Sequence, residues 1–115
     1  MPGATFEPFD VVVVPFPFTD KTGSKRRPAL VISTQAFNDS HDQLVLTMIT
    51  AARQSHWPSD VILRNWRSAG LAVACRVRFK LFTLDKALIV RRLGALANED
   101  RESVRRALLA NLAAG

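Results

Sequence analysis

A chain of 115 residues with 48% hydrophobic and 23% charged residues is long enough to bury one core and too short for a second. Its single cysteine excludes an intrachain disulfide and any zinc site built on several cysteines, and no apolar run approaches the roughly 20 residues of a membrane span. The net charge of +6, from 16 Lys and Arg against 10 Asp and Glu, argues against an acidic disordered segment and suits a polyanionic partner.

The charge is not spread evenly. From Ala97 onward Glu99, Asp100 and Glu102 balance Arg101, Arg105 and Arg106, so residues 1–96 carry the whole excess. The start, Met1 to Glu7, has neither the basic beginning nor the apolar run of a signal peptide. With one cysteine, this predicts a single cytoplasmic domain over residues 1–115, with no membrane association.

Phe9 to Phe18 is β-branched and aromatic and predicts a first strand, its valine run buried on both faces. Pro15 and Pro17 cannot donate to a sheet ladder, so its second half should be an edge or a bend. Pro28 to Thr34 predicts the second strand, beginning at its proline. Between them lies a long hairpin loop, with Thr19 to Ser24 as a candidate flap and Lys25, Arg26 and Arg27 as three adjacent cations held toward an anion.

Ala36 to Asp42, rich in Asn, Asp and Ser, reads as loop, and Gln43 to Ala51 as a third strand. In that strand Leu44, Leu46, Met48 and Thr50 share a face, so a threonine ends an otherwise apolar row. Ala52 to Ser59 is a loop carrying Arg53, Gln54, His56 and Trp57. Asp60 to Leu63 predicts a short strand, and Asn65 to Gly70 a helical turn stopped by its glycine.

Ala72 to Phe82 places Arg76, Arg78 and Lys80 at period two against Cys75, Val77, Phe79 and Leu81, a half-exposed strand with a cationic face. Ala87 to Gly94 predicts the last strand. Asn98 is a candidate N-cap for a closing helix with acid in its first turn and Val104, Leu108 and Leu112 every four residues, a stripe joined by Leu109 that should dock on the sheet. Several short strands and one helix add up to a mainly β domain, a strongly bent antiparallel sheet or partly open barrel.

For chemistry, Arg27 offers planar, permanently charged donors fixed by Pro28, suited to phosphate oxygens; its spacing alone equally describes a solvated basic turn. Thr50 alone reads as β-propensity. His41 and His56 are the default acid–base pair of a ribonuclease, yet each reads as a surface-loop histidine, and Trp57 beside His56 has the ring to stack on unpaired bases. Asp39, His41 and Asp42 lack the further ligands of a metal cage, and the five glycines form no phosphate-binding pattern, so neither a metal nor another cofactor is expected. Cys75, mid-strand, reads as a buried core residue.

Four ordered blocks carry a family resemblance. Asp10-Val11-Val12-Val13-Val14-Pro15-Phe16-Pro17-Phe18-Thr19-Asp20, Gly23-Ser24-Lys25-Arg26-Arg27-Pro28-Ala29-Leu30-Val31, Met48-Ile49-Thr50 and Leu81-Phe82-Thr83-Leu84-Asp85-Lys86 resemble the MazF/PemK toxins of type II toxin–antitoxin systems. The resemblance implies a CcdB/PemK-type, SH3-like antiparallel barrel with a C-terminal α-helix. It also implies a homodimer, metal-independent cleavage of single-stranded RNA to 2′,3′-cyclic phosphate and 5′-hydroxyl ends, and silencing by a cognate antitoxin. The family's catalytic arginine and threonine fall on Arg27 and Thr50. RNA contact is expected at Ser24, Lys25, Arg26, Arg53, Gln54, His56, Arg78 and Lys80, from charge and position. Where the family commonly has a glycine before the first-strand aspartate, this chain has Phe9. The alternatives are a CcdB-like gyrase poison, against which the final Leu112-Ala113-Ala114-Gly115 speaks, and a non-catalytic RNA-binding barrel.

Overall fold

The computed structural model describes residues 4–16 and 25–113. Six strands, β1 (Asp10–Phe16), β2 (Lys25–Val31), β3 (Gln43–Ala51), β4 (Val61–Ile62), β5 (Cys75–Asp85) and β6 (Arg91–Ala95), form one antiparallel sheet in the order β4-β5-β3-β2-β1-β6. Two helices, α1 (Gln35–His41) and α2 (Asn98–Asn111), complete it. The sheet curls into a half-barrel closed by the C-terminal helix, the mainly β architecture expected. The flap Thr19 to Ser24 lies outside the described residues. Among the described residues no helix is long and apolar enough to cross a membrane.

Burial follows the pleat. Val11, Leu30, Ile49, Cys75 and Val77 belong to one apolar cluster with Leu63, Leu96 and Val104. Val12, Val14, Ala29, Val31, Leu44, Leu46 and Leu84 belong to a second with Phe6 and Ile89. The valines of β1 therefore serve both clusters, as a strand apolar on both faces must, and a one-residue slip would exchange them.

Several boundaries differ from those expected, each for a local reason. β2 begins at Lys25, three residues before Pro28, because Lys25, Arg26 and Arg27 pair with Phe16, Pro15 and Val14 of β1. The three cations are thus strand residues on alternating faces rather than a loop cluster. Residues 35–41 form a helix instead of a loop: the Thr34 hydroxyl accepts the Phe37 N–H at 3.2 Å, and Asp42 ends the helix in the left-handed region at φ 53°. Asn, Asp and Ser suit either role, and the cap tips the balance. Asp85 accepts the Ala87 N–H at 2.8 Å and starts a short 3-10 turn over Lys86–Leu88, so β6 begins at Arg91 rather than Ala87.

In α2 the N-cap is Ala97, with no side-chain bond, and not Asn98. Val104 is fully buried and Leu108 packs against the first cluster, but Leu109 is 70% exposed and Leu112 40% exposed. The expected stripe therefore docks at its N-terminal end only. There Asp100, nearly fully buried, accepts the Arg64 and Asn65 N–H groups at 2.9 and 2.8 Å, tying the helix start to the segment after β4.

The turn before β5 ends as expected at Gly70. The Leu71 N–H bonds to the Trp66 carbonyl and the Gly70 N–H to the Arg67 carbonyl, with Gly70 at φ +86°, the pairing of a Schellman cap. A Cβ there would lie 2.4 Å from the Leu93 carbonyl oxygen. Gly70→Ala is therefore expected to destabilise the fold by at least ~1–3 kcal/mol, the range for one strained backbone position. A chemical-denaturation midpoint equal to that of the parent chain would contradict this.

Phe9 also sits in the left-handed region, at φ 72°, yet is buried in the first cluster. A bulky residue there is strained, which is why glycine suits the position. The chain offsets the strain by burying the ring and by stacking Arg101 and Arg105 near it at 5.8 and 6.0 Å.

Candidate active site

The ladder between β2 and β3 runs from Val31/Leu46 to Ala29/Met48 and stops. The next residue on β2 is Pro28, which has no N–H to donate. Beyond that point β1 still holds β2, and β5 still holds β3 through Thr50/Arg76 and Ala51/Cys75. A cleft of about 400 Å³ opens at this end of the sheet, lined by Arg27, Pro28, Met48, Ile49, Thr50, Ala51, Arg53, Gln54, Val73, Cys75, Arg78 and Lys80.

Arg27 and Thr50 each lie two residues past the last pair, so alternation puts them on the same face as Ala29 and Met48. Thr50 pairs directly with Arg76 on β5, and Met48 with Arg78. The face that carries an apolar cluster farther along thus ends in a hydroxyl and cations. This is what the row Leu44, Leu46, Met48, Thr50 anticipated.

The cationic face of β5 is not half-exposed. Arg76 and Arg78 are each only 9% exposed, while Lys80 is exposed. The cause is Asp60, whose side chain is 2% exposed. It accepts from Arg78 Nε at 3.2 Å and Nη2 at 2.9 Å, and lies 3.7 Å from Arg76 Nη1. It also accepts the Trp57 backbone N–H at 2.9 Å, and Arg78 donates further to the Ser55 carbonyl. The loop between β3 and β4 is thereby folded over the two arginines. Burial works against ionising Asp60, but the Arg78 and Trp57 hydrogen bonds and both positive charges outweigh it and hold its carboxyl below the ordinary 3.8.

A bulge shapes the other wall. Thr47 pairs with Leu81 and Met48 with Arg78, leaving Phe79 and Lys80 opposite nothing on β3. The Thr47 hydroxyl donates to the Arg78 carbonyl there. Lys80 reaches the cleft from this bulge, and its Nζ sits 5.5 Å from the Trp57 ring.

Of the residues singled out from sequence, Arg27, Thr50, Arg53, Gln54, Arg78 and Lys80 share the cleft. Lys25 and Arg26 are exposed at the start of β2, and alternation turns Arg26 to the face opposite Arg27. His56 is exposed in the loop beside Trp57, outside the cleft lining. Ser24 lies outside the described residues. Cys75 lines the cleft but is 4% exposed, its thiol donating to the Val73 carbonyl at 3.2 Å, and burial pushes its pKa up, which leaves it an inert thiol. Asp60 escaped sequence reasoning, although a lone acid just ahead of an arginine-bearing strand is the available signal. No group of three or more His, Cys, Asp or Glu among the described residues could hold a metal ion.

By structure the chain is similar to MazF from Deinococcus radiodurans, at 24% identity and TM-score 0.71, covering 93% of this chain and 96% of that one. A MazE–MazF complex from Deinococcus radiodurans is similar over 96% of this chain and 100% of that one, at 23% identity and TM-score 0.73. An endoribonuclease in complex with its cognate antitoxin from a mycobacterial species is similar over 92% and 91%, at 17% identity and TM-score 0.71. No curated protein matches the chain. Residues 7–112 match the model of the PemK-like, MazF-like toxins of type II toxin–antitoxin systems, and the chain belongs to that family.

Proposed function

We propose that this toxin is a metal-independent endoribonuclease that cuts single-stranded RNA in the cytoplasm, with Arg27 and Thr50 as its catalytic residues. The observation that carries the reading is the convergence of Arg27, from β2, and Thr50, from β3, on one cleft whose walls also bear Arg53, Gln54, Arg78 and Lys80. A site that brings together several cations and a hydroxyl, with no carboxylate or histidine in its lining among the described residues, suits a substrate that supplies its own nucleophile.

RNA does so. Its 2′-hydroxyl oxygen attacks the adjacent phosphorus and gives up its proton to solvent, the P–O5′ bond breaks, and the departing 5′-oxygen takes up a proton from solvent, leaving a 2′,3′-cyclic phosphate and a 5′-hydroxyl. The protein then has to orient the phosphate and stabilise the charge that develops on its non-bridging oxygens. The Arg27 guanidinium, with planar, charged donors, supplies that stabilisation. Thr50 donates a hydrogen bond to the same phosphate. Lys25, on the same face as Arg27, guides the strand along the basic surface together with Arg53, Gln54, His56 and Lys80, and Arg78 gives the cleft wall its charge; Arg26, turned to the opposite face, drops out of the set, and Ser24 belongs to it by resemblance.

An antitoxin with an acidic and apolar segment would cover this surface through charge complementarity, and antitoxin complexes among the similar structures support such a partner. The family resemblance extends the reading to a homodimer. The test is incubation of the purified protein with single-stranded RNA in EDTA. Fragments with cyclic-phosphate ends are expected, and oligonucleotides of 2′-deoxynucleotides should survive. RNA that stays intact would sink the nuclease reading.

A further inference from the structure

We infer that Trp57 is a base-stacking platform beside the cleft, next to its lining residues Arg78 and Lys80 and held in place by Asp60 acting as a positioning residue. The inference rests on the single-stranded nucleic-acid reading of the same cleft. Four observations meet at this ring. Its backbone is tied at both ends of one turn, the Trp57 N–H to the Asp60 carboxylate at 2.9 Å and the Asp60 N–H to the Trp57 carbonyl at 3.0 Å. Arg78 lies over the ring at 5.1 Å while both of its Asp60 hydrogen bonds remain in place. Lys80 approaches the ring at 5.5 Å from the bulge. The residue nonetheless stays 38% exposed, one of the large apolar side chains left open to solvent.

An exposed indole usually relaxes toward cover. The turn that carries this one is fixed by a buried carboxylate, which also holds over the ring an arginine that lines the cleft with Arg27 and Thr50. Cations next to an accessible aromatic face form the chemistry that receives an unpaired base: the ring takes the base by stacking while the charges take the neighbouring phosphates. Asp60 never touches the base. Its part is to fix Trp57 and Arg78 before the strand arrives, which removes an ordering cost from binding. The platform thus adds affinity for an unpaired base next to the cleft, whichever base it is, because every base offers a face to stack on.

The probe is a short single-stranded RNA carrying 2′-O-methyl groups, which binds without offering a nucleophile, together with a version abasic at one position at a time. Tryptophan emission is followed in a Trp66→Phe background, so that Trp57 alone reports. Binding should quench the emission, and one abasic position should abolish the quench. Trp57→Ala should weaken binding by about 5- to 150-fold, the span seen for loss of one base–aromatic stack. Trp57→Phe should recover most of that. Asp60→Asn, which keeps an acceptor but removes the charge, should retain Trp57 and still lose part of the quench and of the affinity; thermal unfolding of this variant shows whether it is folded.

Binding of Trp57→Ala within twofold of the parent chain would overturn the platform, whether or not ordinary RNA is cleaved. So would failure of the parent chain to bind any such oligonucleotide, or a quench produced by an acidic peptide and by none of the oligonucleotides. Quenching by the probe with ordinary RNA left intact would uphold the platform and remove the nuclease reading, so the two can fail separately.

Discussion

Arg27→Ala is expected to lower the rate of RNA cleavage by at least about 100- to 1,000-fold, the cost of removing one preorganised donor from a developing oxyanion. Arg27 is exposed near the start of β2 and lies across from Val14 in a ladder that uses only its backbone, so the variant should keep its fold. Lysine should not restore the rate, because a point charge cannot reproduce two parallel N–H donors on one phosphate. The loss should appear in kcat. Neutralising Lys25, by contrast, should mainly weaken binding and flatten its dependence on salt, whereas neutralising Arg26, on the opposite face, should do neither. On the proposed reading Arg27 and Thr50 act on one phosphate, so adding Thr50→Ala to Arg27→Ala should cost much less than the product of the single losses. A full-rate Arg27→Ala enzyme would remove this residue from the chemistry.

The largest loss of stability is expected at Asp60. Its carboxylate is the single acid that the structure pairs with both Arg76 and Arg78, and removing one partner of a buried ion pair typically costs about 3–5 kcal/mol because the remaining charge stays uncompensated. Asp60→Ala should show that loss in chemical denaturation. Replacing Asp60, Arg76 and Arg78 together by apolar residues of similar size should cost far less, since no charge is then stranded. The same group predicts a pH effect. Its carboxyl is held below 3.8 in the folded chain, so the stability it contributes is present above that value. It is lost as the pH falls from about 3.8 through the lowered folded value. If Asp60→Ala and the parent chain lost stability in parallel over that acid range, the ion-pair account would be wrong.

Most of the sheet was legible because its signals are local. Four consecutive valines can only be a strand apolar on both faces, Gly70 sits where a cap demands a positive φ, and Gln43 to Ala51 alternates cleanly. Arg27 and Thr50 stood out as candidates through ordered motifs, but their sharing one cleft did not, because it depends on where one ladder stops. What could not be read is set by contacts distant in sequence. Arg76 and Arg78 looked solvated at period two and are buried because an acid 16 and 18 residues earlier folds over them. Helix α1 depended on one threonine cap, and Leu109 looked like core because periodicity cannot say where the surface beneath a helix ends.

The place of β6 in the sheet has a bearing on solubility. β1 is an interior strand because β6, which pairs with it from Asp10/Ala95 to Val13/Arg91, hydrogen-bonds along its outer side. Without that cover, a run of four valines would present an open row of N–H and C=O groups, the pattern that recruits further chains edge to edge. β6 replaces that edge with one bearing Arg91 and Arg92, both exposed, and charge on an outer strand discourages such pairing. The last strand thereby serves as a guard against aggregation, while the cleft is made by β2, β3, β5 and the loops around them.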